Sequence, residues 1–396
     1  MKNNKKLMLR KIGTIVTGKT PATNNLKFWD GDILFISPTD LHVNMWVKDT
    51  NKKITKLGLN SIQTNTISGL SILVGCIGWD MGNVALVNKV CATNQQINAI
   101  TDIRTEVVNP YFIYYWLKNK KDYLFKISNV TRTPILNKSL FGEIEIGLPN
   151  RLYQDSVVKI LKSIDDMVEN NSTIVDRLEL IAKTIYDYWF LQFEFPNEEG
   201  KPYKSSGGKM VWNEELQREI PDGWGSEKLK DVIVENPKSK IKVGDVKNIG
   251  EIPFFTSGAE ILSTNDSIVS GLNCYLNTGG NADVKYYYGD ASYSTDTWCI
   301  TARDDMKYIL PFILDKIKPS MDKVFFQGTD LQHLQKNLLR EYSLCIPDND
   351  VLNKFEKIVR DIFVQQHNLL TENRKLESLK EFLLPLLMNG QVTVGE

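Results

Sequence analysis

The sequence is poor in the residues that most often build metal and redox sites. It has five cysteines in 396 residues, none of them in a CxxC pair. Its three histidines, His42, His333 and His367, are far apart in the sequence, so no catalytic base stands out. An odd and scattered set of cysteines indicates neither a disulfide framework nor a zinc site, and it is typical of a reducing compartment.

Long apolar runs are also missing. The least polar stretch, residues 67–79, is short and interrupted by Gly69, Gly75 and Gly78. The basic start MKNNKKLMLR is not followed by the apolar segment of a secretory signal. We therefore expect a cytoplasmic protein with no membrane partner.

Sequence motifs of self-sufficient enzymes are absent. The chain has no GxxxxGK[ST] loop, no [DNS]PP[YFW] tetrapeptide of an amino-methyltransferase and no HExxH. Pro221-Asp222 resembles the start of a nuclease carboxylate cluster, but no Asp/Glu-x-Lys follows at a suitable distance, so PDGW is interpreted as a turn. We predict a non-catalytic protein that binds no cofactor itself.

The net charge is zero, but the positive charge is unevenly distributed. Residues 1–148 hold 19 Lys and Arg against 10 Asp and Glu, whereas residues 227–346 hold 14 against 16. A basic domain favours a phosphate-rich partner. The slight negative net charge of residues 227–346 gives no electrostatic support to a DNA site in the second domain.

What the sequence does contain is an internal repeat. Residues 131–179 align without gaps to residues 329–377, 198 positions further on, and thirteen of the 49 pairs are identical. Two similar halves joined head to tail favour a pseudo-twofold fold and a target that itself has two parts.

The repeat divides the chain into two α+β domains and two helical segments. Each domain mixes short β-type runs with Gly, Pro and Asn turns and holds one helical piece, at 110–119 in the first and 310–317 in the second. The strand candidates are 33–36, 83–87 and 143–148, and then 253–256, 291–300 and 342–346. The predicted segments are a first domain (1–148), a first helix (149–195), a connector (196–226), a second domain (227–346), and a second helix with a tail (347–396).

The helices have a coiled-coil spacing. From Val157 to Trp189, apolar residues recur at alternating intervals of four and three, with Asn171 as the polar member. The matching stripe from Phe355 to Leu387 contains Gln366 and Asn373. Buried amides in such a seam usually fix register, and we assign Asn171, Gln366 and Asn373 that role.

Connectivity predicts that the helices pair antiparallel and hold the two domains apart. The first helix must carry the chain to the second domain, and the second has a complementary stripe that is best buried by running back alongside it. Strand-like segments, 193–195 and 392–394, are expected to reach towards the opposite domain.

One stretch resembles a known family. Residues 187–224, DYWFLQFEFPNEEGKPYKSSGGKMVWNEELQREIPDGW, look like the linker that follows the first spacer helix in specificity subunits of Type I restriction-modification enzymes. The duplicated plan, the end LLMNG at 386–390 and the T-x-x-x-x-L-x-K-x-L approach to each helix are similar too.

The resemblance implies a non-catalytic DNA reader. Each target-recognition domain would read one half of a split target in double-stranded DNA, and the helices would set the gap between the halves. Two methyltransferase subunits would dock on the helices, and restriction/translocase subunits would join for cleavage. S-adenosylmethionine, ATP and Mg would be bound by those partners.

Base readers are predicted from chemistry alone, as amide, hydroxyl, Arg and Lys side chains in loops beside strands. The candidates in the first domain are Thr39, Asp40, Trp79, Asn83, Asn94, Gln95, Gln96 and Arg132. Those in the second are Thr256, Ser257, Asn281, Thr295, Gln332 and His333. Lys19, Lys27, Lys138 and Lys336 are candidate phosphate contacts, which position a duplex without specifying its sequence.

Two other functions stay open at this point. One is a nuclease or methyltransferase complete in this chain. The other is a coiled-coil scaffold that binds proteins or glycans, which the zero net charge favours.

Overall fold

The computed structural model describes residues 5–42, 45–128, 133–328 and 332–392. The chain forms two compact units. Unit 1 combines Met1–Glu169 with Leu376–Glu396, and unit 2 is Asn170–Lys375. Each unit therefore contains one α+β domain and a part of each long helix.

Unit 1 is built on two small sheets. The strands are β1 (Lys5–Met8), β2 (Thr14–Thr17), β3 (Trp29–Ile36), β4 (Lys52–Ile54), β5 (Thr66–Ile67), β6 (Leu70–Gly75), β7 (Val84–Asn88), β8 (Cys91–Thr93), β9 (Ile97–Thr101) and β10 (Glu145–Leu148). One sheet has the order β2-β9-β6-β7 and the other β4-β3-β8-β5, in which β3 and β8 run parallel. The ends of the domain, β1 and β10, pair antiparallel.

Four shorter helices complete the first domain: α1 (Lys56–Asn60), α2 (Pro110–Lys118), α3 (Lys121–Ile127) and α4 (Lys138–Glu143). The expected helix at 110–119 is confirmed, and its start has a simple cause. The Asn109 side chain accepts a hydrogen bond from the Tyr111 amide, and Pro110 fits the first helical position, where no amide donor is needed.

The long helix α5 (Arg151–Tyr186) follows β10 and passes from unit 1 into unit 2. It ends in a π-helical turn, Asp187–Leu191. No strand forms at 193–195. Phe193 has a left-handed backbone with φ of 62°, and its ring packs edge-on against Trp224 instead.

Unit 2 repeats the plan of unit 1. Its strands are β11 (Met210–Asn213), β12 (Arg218–Pro221), β13 (Gly225–Lys228), β14 (Ile233–Glu235), β15 (Ile252–Phe255), β16 (Ile261–Thr264), β17 (Leu272–Asn277), β18 (Val284–Tyr288), β19 (Ser292–Tyr293), β20 (Thr297–Ala302), β21 (Phe326–Gln327), β22 (His333–Leu334) and β23 (Ser343–Ile346). The order β14-β20-β17-β18 matches β2-β9-β6-β7, and the parallel pair β15 and β19 matches β3 and β8.

The helices of unit 2 are α6 (Leu229–Val232), α7 (Leu310–Val324), α8 (Lys336–Arg340) and the long α9 (Asn349–Met388), which returns to unit 1. The helix predicted at 310–317 forms but continues through Pro319 to Val324. The single strand predicted at 291–300 is wrong, because a turn at Ser294 separates β19 from β20. The Ser294 amide donates there to the Phe255 carbonyl, at 2.9 Å.

The two long helices pack antiparallel inside each unit, as expected. In unit 1 the Tyr153 hydroxyl donates to the Leu387 carbonyl at 2.9 Å, and Lys380 Nζ lies 2.6 Å from Asp165 Oδ1. In unit 2 the Gln366 amide donates to the Val175 carbonyl at 3.2 Å. Residues later in α5 contact residues earlier in α9, so the two helices run antiparallel.

The three amides of the predicted seam are buried in unit 2. Asn171 Nδ2 donates to Asn373 Oδ1 at 3.0 Å and to Glu372 Oε2 at 3.1 Å. Asn373 in turn donates to the Ser172 hydroxyl. Pairing amides across the seam satisfies groups whose burial alone would be unfavourable.

The five cysteines are free, and burial raises the pKa of Cys76 and Cys91 to about 12, so these two are unreactive thiols. Within the described residues, no helix combines the length and the hydrophobicity needed to cross a membrane. Of the C-terminal segment predicted to be strand-like, Val392 lies in a bend, and residues 393 and 394 lie outside the described residues.

Candidate functional site

A polar surface of unit 1 lies where three loops meet at one edge of its sheets. We name this surface loop edge 1 and define it as residues 37–42, 76–83 and 94–96. The Asn94 amide donates to the Ile36 carbonyl at 3.0 Å, and the Cys76 amide donates to the Gln96 carbonyl at 2.8 Å. These backbone bonds fix the three loops to each other at the ends of β3, β6 and β8.

Unit 2 has the equivalent surface, which we name loop edge 2 and define as residues 256–260, 278–283 and 294–296. The Ser294 amide donates to the Phe255 carbonyl, and the Thr278 amide donates to the Asp296 carbonyl at 3.2 Å. The Ser257 hydroxyl also donates to the Asp296 carbonyl. The same pair of backbone bonds therefore builds both edges.

A fourth segment supports each edge in the same way. In unit 1 the Gly78 amide donates to the Pro134 carbonyl at 3.0 Å. In unit 2 the Gly280 amide donates to the Gln332 carbonyl, also at 3.0 Å. Gly78 and Gly280 both have left-handed backbones, with φ of 74° and 78°. This conformation favours glycine, so the two turns are equivalent positions of one repeated design.

Seven predicted residues of the first domain lie on loop edge 1, namely Thr39, Asp40, Trp79, Asn83, Asn94, Gln95 and Gln96. Thr39, Gln95 and Lys19 are exposed, and Trp79 is 92% exposed. Lys27 is also exposed, and Lys138 is exposed at the start of α4. Arg132 lies outside the described residues.

Four polar candidates of loop edge 1 are already engaged in holding the loops. Asp40 Oδ2 accepts from the backbone amide and the hydroxyl of Ser37 in a capping box. Asn94 and Gln96 are hydrogen-bonded to each other. Asn83 Oδ1 accepts from Lys121 Nζ at 3.0 Å. Their first role in this structure is to shape the loops.

The candidates of the second domain divide similarly. Asn281, Gln332 and His333 are exposed, and Ser257 and Thr295 are half-buried. Thr256 is only 6% exposed, and its hydroxyl donates to the Glu260 carbonyl within the turn, so it is placed to support the loop.

Lys336 has an environment that the sequence did not suggest. Its ammonium lies 4.9 Å from the centre of the Trp298 ring. Burial is the main cause that lowers the pKa of this lysine, with smaller effects from Glu235, Arg340 and Lys238. A half-buried cation over an indole is less available to a phosphate than an exposed lysine.

Sequence reasoning missed a basic segment beside loop edge 2. Residues 236–247 carry Lys238, Lys240, Lys242 and Lys247, all exposed, against one acid, Asp245. The segment reaches the edge through its Ile241 carbonyl, which accepts from the Thr295 amide at 2.9 Å. The net charge of residues 227–346 concealed this local excess, although the pattern KSKIK after a strand is visible in the sequence.

Loop edge 1 has a matching segment, residues 18–28, with Lys19 and Lys27 and no acid. The Thr20 hydroxyl donates to the Gln95 side-chain oxygen at 2.9 Å, which ties this segment to the edge. Both edges thus combine exposed amides or hydroxyls with nearby lysines.

The sequence also did not identify the contact between His42 and Asp80. His42 Nε2 lies 2.6 Å from Asp80 Oδ1, and it links the first two loops of edge 1. No group of three or more His, Cys, Asp and Glu residues that could hold a metal ion occurs in the described parts of the chain. The fold and the two edges define a duplicated α+β protein that presents polar side chains on rigid loops, which is the design of a binding protein.

The chain is similar to a known family. Residues 1–180 match the family model described as Type I restriction modification DNA specificity domain. The chain is 27% identical to the Type I restriction enzyme MjaIX specificity subunit of Methanocaldococcus jannaschii over 98% of this chain and 93% of that protein. It is 34% identical to the HindI specificity subunit of Haemophilus influenzae over 41% of this chain and 36% of that one.

A solved structure has the same fold. The S subunit of the Type I restriction-modification system from M. genitalium superimposes with a TM-score of 0.58 at 16% identity, over 97% of this chain and 96% of that chain. The predicted resemblance to Type I specificity subunits is confirmed, and so is the prediction of a non-catalytic subunit, since these relatives are named for specificity.

Proposed function

We propose that this chain is the DNA-reading subunit of a Type I restriction-modification complex, with loop edge 1 reading one half of a split duplex target and loop edge 2 reading the other. The observation that carries the proposal is the equivalence of the two edges. They share their strand order, their supporting hydrogen bonds and an adjacent lysine-bearing segment.

The chemistry of the edges suits direct reading of bases. Exposed amide and hydroxyl side chains such as Thr39, Gln95 and Asn281 can donate to and accept from base edges in the major groove. Lysines of the flanking segments can contact phosphates, which orient the duplex and make binding depend on salt. Because backbone bonds fix the loops, their backbone needs little ordering on binding.

Partners are expected on the long helices. In unit 2, α5 exposes Ile181, at 48%, together with Leu180, and the π-helical turn after it exposes Tyr188. In unit 1, α9 exposes Leu379, at 46%, together with Phe382. Ile181 and Leu379 are 198 positions apart, which is the repeat offset. Two copies of one methyltransferase subunit would fit such a pair of apolar stripes.

The chemistry would then be supplied by those partners. Adenine methylation would use S-adenosylmethionine on the methyltransferase subunits, and cleavage would use ATP and Mg on restriction/translocase subunits. The role of this chain would be to choose the DNA sequence.

The reading function is tested by sequencing the methylome of a methylation-free host that expresses this chain with its methyltransferase. We expect one modified motif with two specified halves separated by an unspecified gap. Gln95→Ala should change or relax one half only, and Gln217→Ala, on the turn between β11 and β12, should change neither. A motif without a gap, or a Gln95→Ala motif altered in both halves, would contradict the proposal.

The docking surfaces are tested by native mass spectrometry of the co-purified complex. We expect two methyltransferase subunits per chain, and one after either Ile181→Asp or Phe382→Asp. Leu152→Asp is the matched control. Leu152 is 79% exposed on α5, but its repeat counterpart is already acidic, Asp350. Two subunits retained in both stripe variants would exclude these surfaces.

A further inference from the structure

Trp79 is the most exposed tryptophan in the described part of the chain. Its 92% exposure compares with 55% for Trp212 and with 8% or less for Trp116, Trp189 and Trp224. An indole left in water contributes nothing to the packing of the fold. Its position on loop edge 1 therefore points to a use in binding.

The backbone beneath Trp79 is firmly held. Gly78 donates to the Pro134 carbonyl, and Asp80 Oδ1 lies 2.6 Å from His42 Nε2. Behind the turn, β6 ends so close that a Cβ on Gly75 would lie 2.4 Å from the Asp80 carbonyl oxygen. Met81, which follows Asp80, is fully buried. The indole therefore projects from a fixed base.

An indole with two accessible faces can stack on two bases at once, which a ring with one face packed against the protein cannot do. At 92% exposure both of its faces are accessible, so it can stack between two bases. Gln95, exposed on the same loop edge, is an amide that suits base edges. Apolar wedges that enter a base step unstack it, and the cost is offset by the aromatic surface that they bury.

The repeat supplies an internal comparison. Gly78 and Gly280 are equivalent in backbone conformation and in hydrogen bonding, so the counterpart of Trp79 is the exposed Asn281. An amide cannot act as an aromatic wedge. The two loop edges are thus alike in backbone at this turn and present different side chains at its projecting position.

We propose that Trp79 enters the base stack of the half-target bound by loop edge 1 and holds one base step open, an assignment that rests on the function proposed above. The other half-target, bound by loop edge 2, keeps its stacking at the equivalent place. The specificity of the first half then includes how easily that step unstacks, in addition to hydrogen bonds to base edges.

The test uses the complex of the full chain with its methyltransferase, bound to a duplex that carries the methylome-defined target. Exchange of residues 1–148 identifies the half that belongs to unit 1. 2-Aminopurine replaces each adenine in turn to report unstacking by fluorescence, and permanganate reports unstacked thymines. A half-target in which an adenine is methylated has that adenine on one strand and its paired thymine on the other, so each strand carries a base that one of the probes can report. The variants are Trp79→Ala, Trp79→Phe and, as the matched control, Trp212→Ala.

The methyltransferase itself takes the adenine that it methylates out of the stack. At a different step of the first half-target we expect unstacking in the wild-type and Trp212→Ala complexes, its loss in Trp79→Ala and its partial return in Trp79→Phe. Affinity for the target should fall about 5- to 150-fold in Trp79→Ala, as for the loss of one stacked base. Because Trp79 is exposed, its replacement leaves the core intact.

Two results would overturn the assignment while leaving the reading function standing. One is a wild-type complex that binds its split target with no unstacked base in the first half other than the adenine that is methylated. The other is unstacking at that further step that persists in Trp79→Ala. A wild-type complex that selects no DNA sequence at all would overturn both the assignment and the function on which it rests.

Discussion

Replacing Lys380 with methionine should destabilise unit 1 more than any change to an exposed ion pair. Lys380 Nζ on α9 lies 2.6 Å from Asp165 Oδ1 on α5, and the two side chains are only 12% and 5% exposed. The other carboxylate oxygen accepts from the Tyr115 hydroxyl at 2.6 Å. Lys380→Met leaves a buried carboxylate without its main cation, a loss that typically costs about 3–5 kcal/mol.

A second lysine reduces this cost. The pKa of Lys118 is lowered to about 8, mainly by burial and secondly by the positive charge of Lys380. The negative charge of Asp165 acts in the opposite direction. Removing Lys380 lets Lys118 hold its proton more firmly beside Asp165. We therefore expect the low end of the ~3–5 kcal/mol range.

The origin of the effect is tested by a double variant. Asp165→Asn keeps an acceptor for Tyr115 but needs no counter-charge, so in that background Lys380→Met should cost under about 1 kcal/mol. The measurement is native-state hydrogen exchange of α2 and of residues 151–169 in the intact chain. Lys6→Met is the control, because its 3.7 Å pair with Glu145 is 76% and 55% exposed and should contribute about 1 kcal/mol or less. An unchanged exchange rate in Lys380→Met, or the same cost in both backgrounds, would refute the reasoning.

Three further outcomes are expected. With a folded pKa of about 8 against an ordinary 10.5, Lys118 loses its proton first in the folded state, so the stability of unit 1 should rise between these pH values, and Lys118→Met should flatten the profile measured by urea unfolding. Asn171→Leu removes the hydrogen bonds to Glu372 and Asn373 and should destabilise the helix pair of unit 2 by about 1–3 kcal/mol, which hydrogen exchange of residues 170–186 would show. Exchanging residues 1–148 for the corresponding domain of a relative should change one half of the methylated motif, and a change in both halves would contradict independent reading.

The helices were the most predictable part of the fold because their constraint repeats along the sequence. A side chain every three or four residues must face the partner helix, and each member of the predicted stripes is buried or half-buried. The buried Asp165 and Lys380 illustrate the limit. Asp165 lies outside the predicted stripe, next to Ile164. Lys380 falls on the stripe from Phe355 to Leu387, but nothing in that spacing pairs it with Asp165. Their pairing depends on how two distant segments align, which periodicity along one segment does not encode.

The strands were harder to predict because short runs carry little pattern. Residues 291–300 form one run without Gly or Pro in the sequence. The chain nevertheless turns at Ser294, so that β19 can pair with β15 and β20 with β17. That turn is selected by its partner, the Phe255 carbonyl, which is 39 residues earlier in the chain. Tertiary hydrogen bonds decide such breaks.

The same reasoning explains why individual base readers cannot be deduced from the repeat. The identities between the halves are concentrated at 131–179 and 329–377, in the entry to the helices and the helices themselves, whereas the loop edges differ at nearly every side chain. The backbone bonds that build the edges need amides and carbonyls, which every residue except proline supplies, so the scaffold places no demand on the exposed side chains. Because backbone bonds hold the turns at Gly78 and Gly280, the next residue can be Trp79 in one edge and Asn281 in the other without a change in the fold. Such an edge can acquire a new DNA specificity through its side chains while the fold beneath it stays the same.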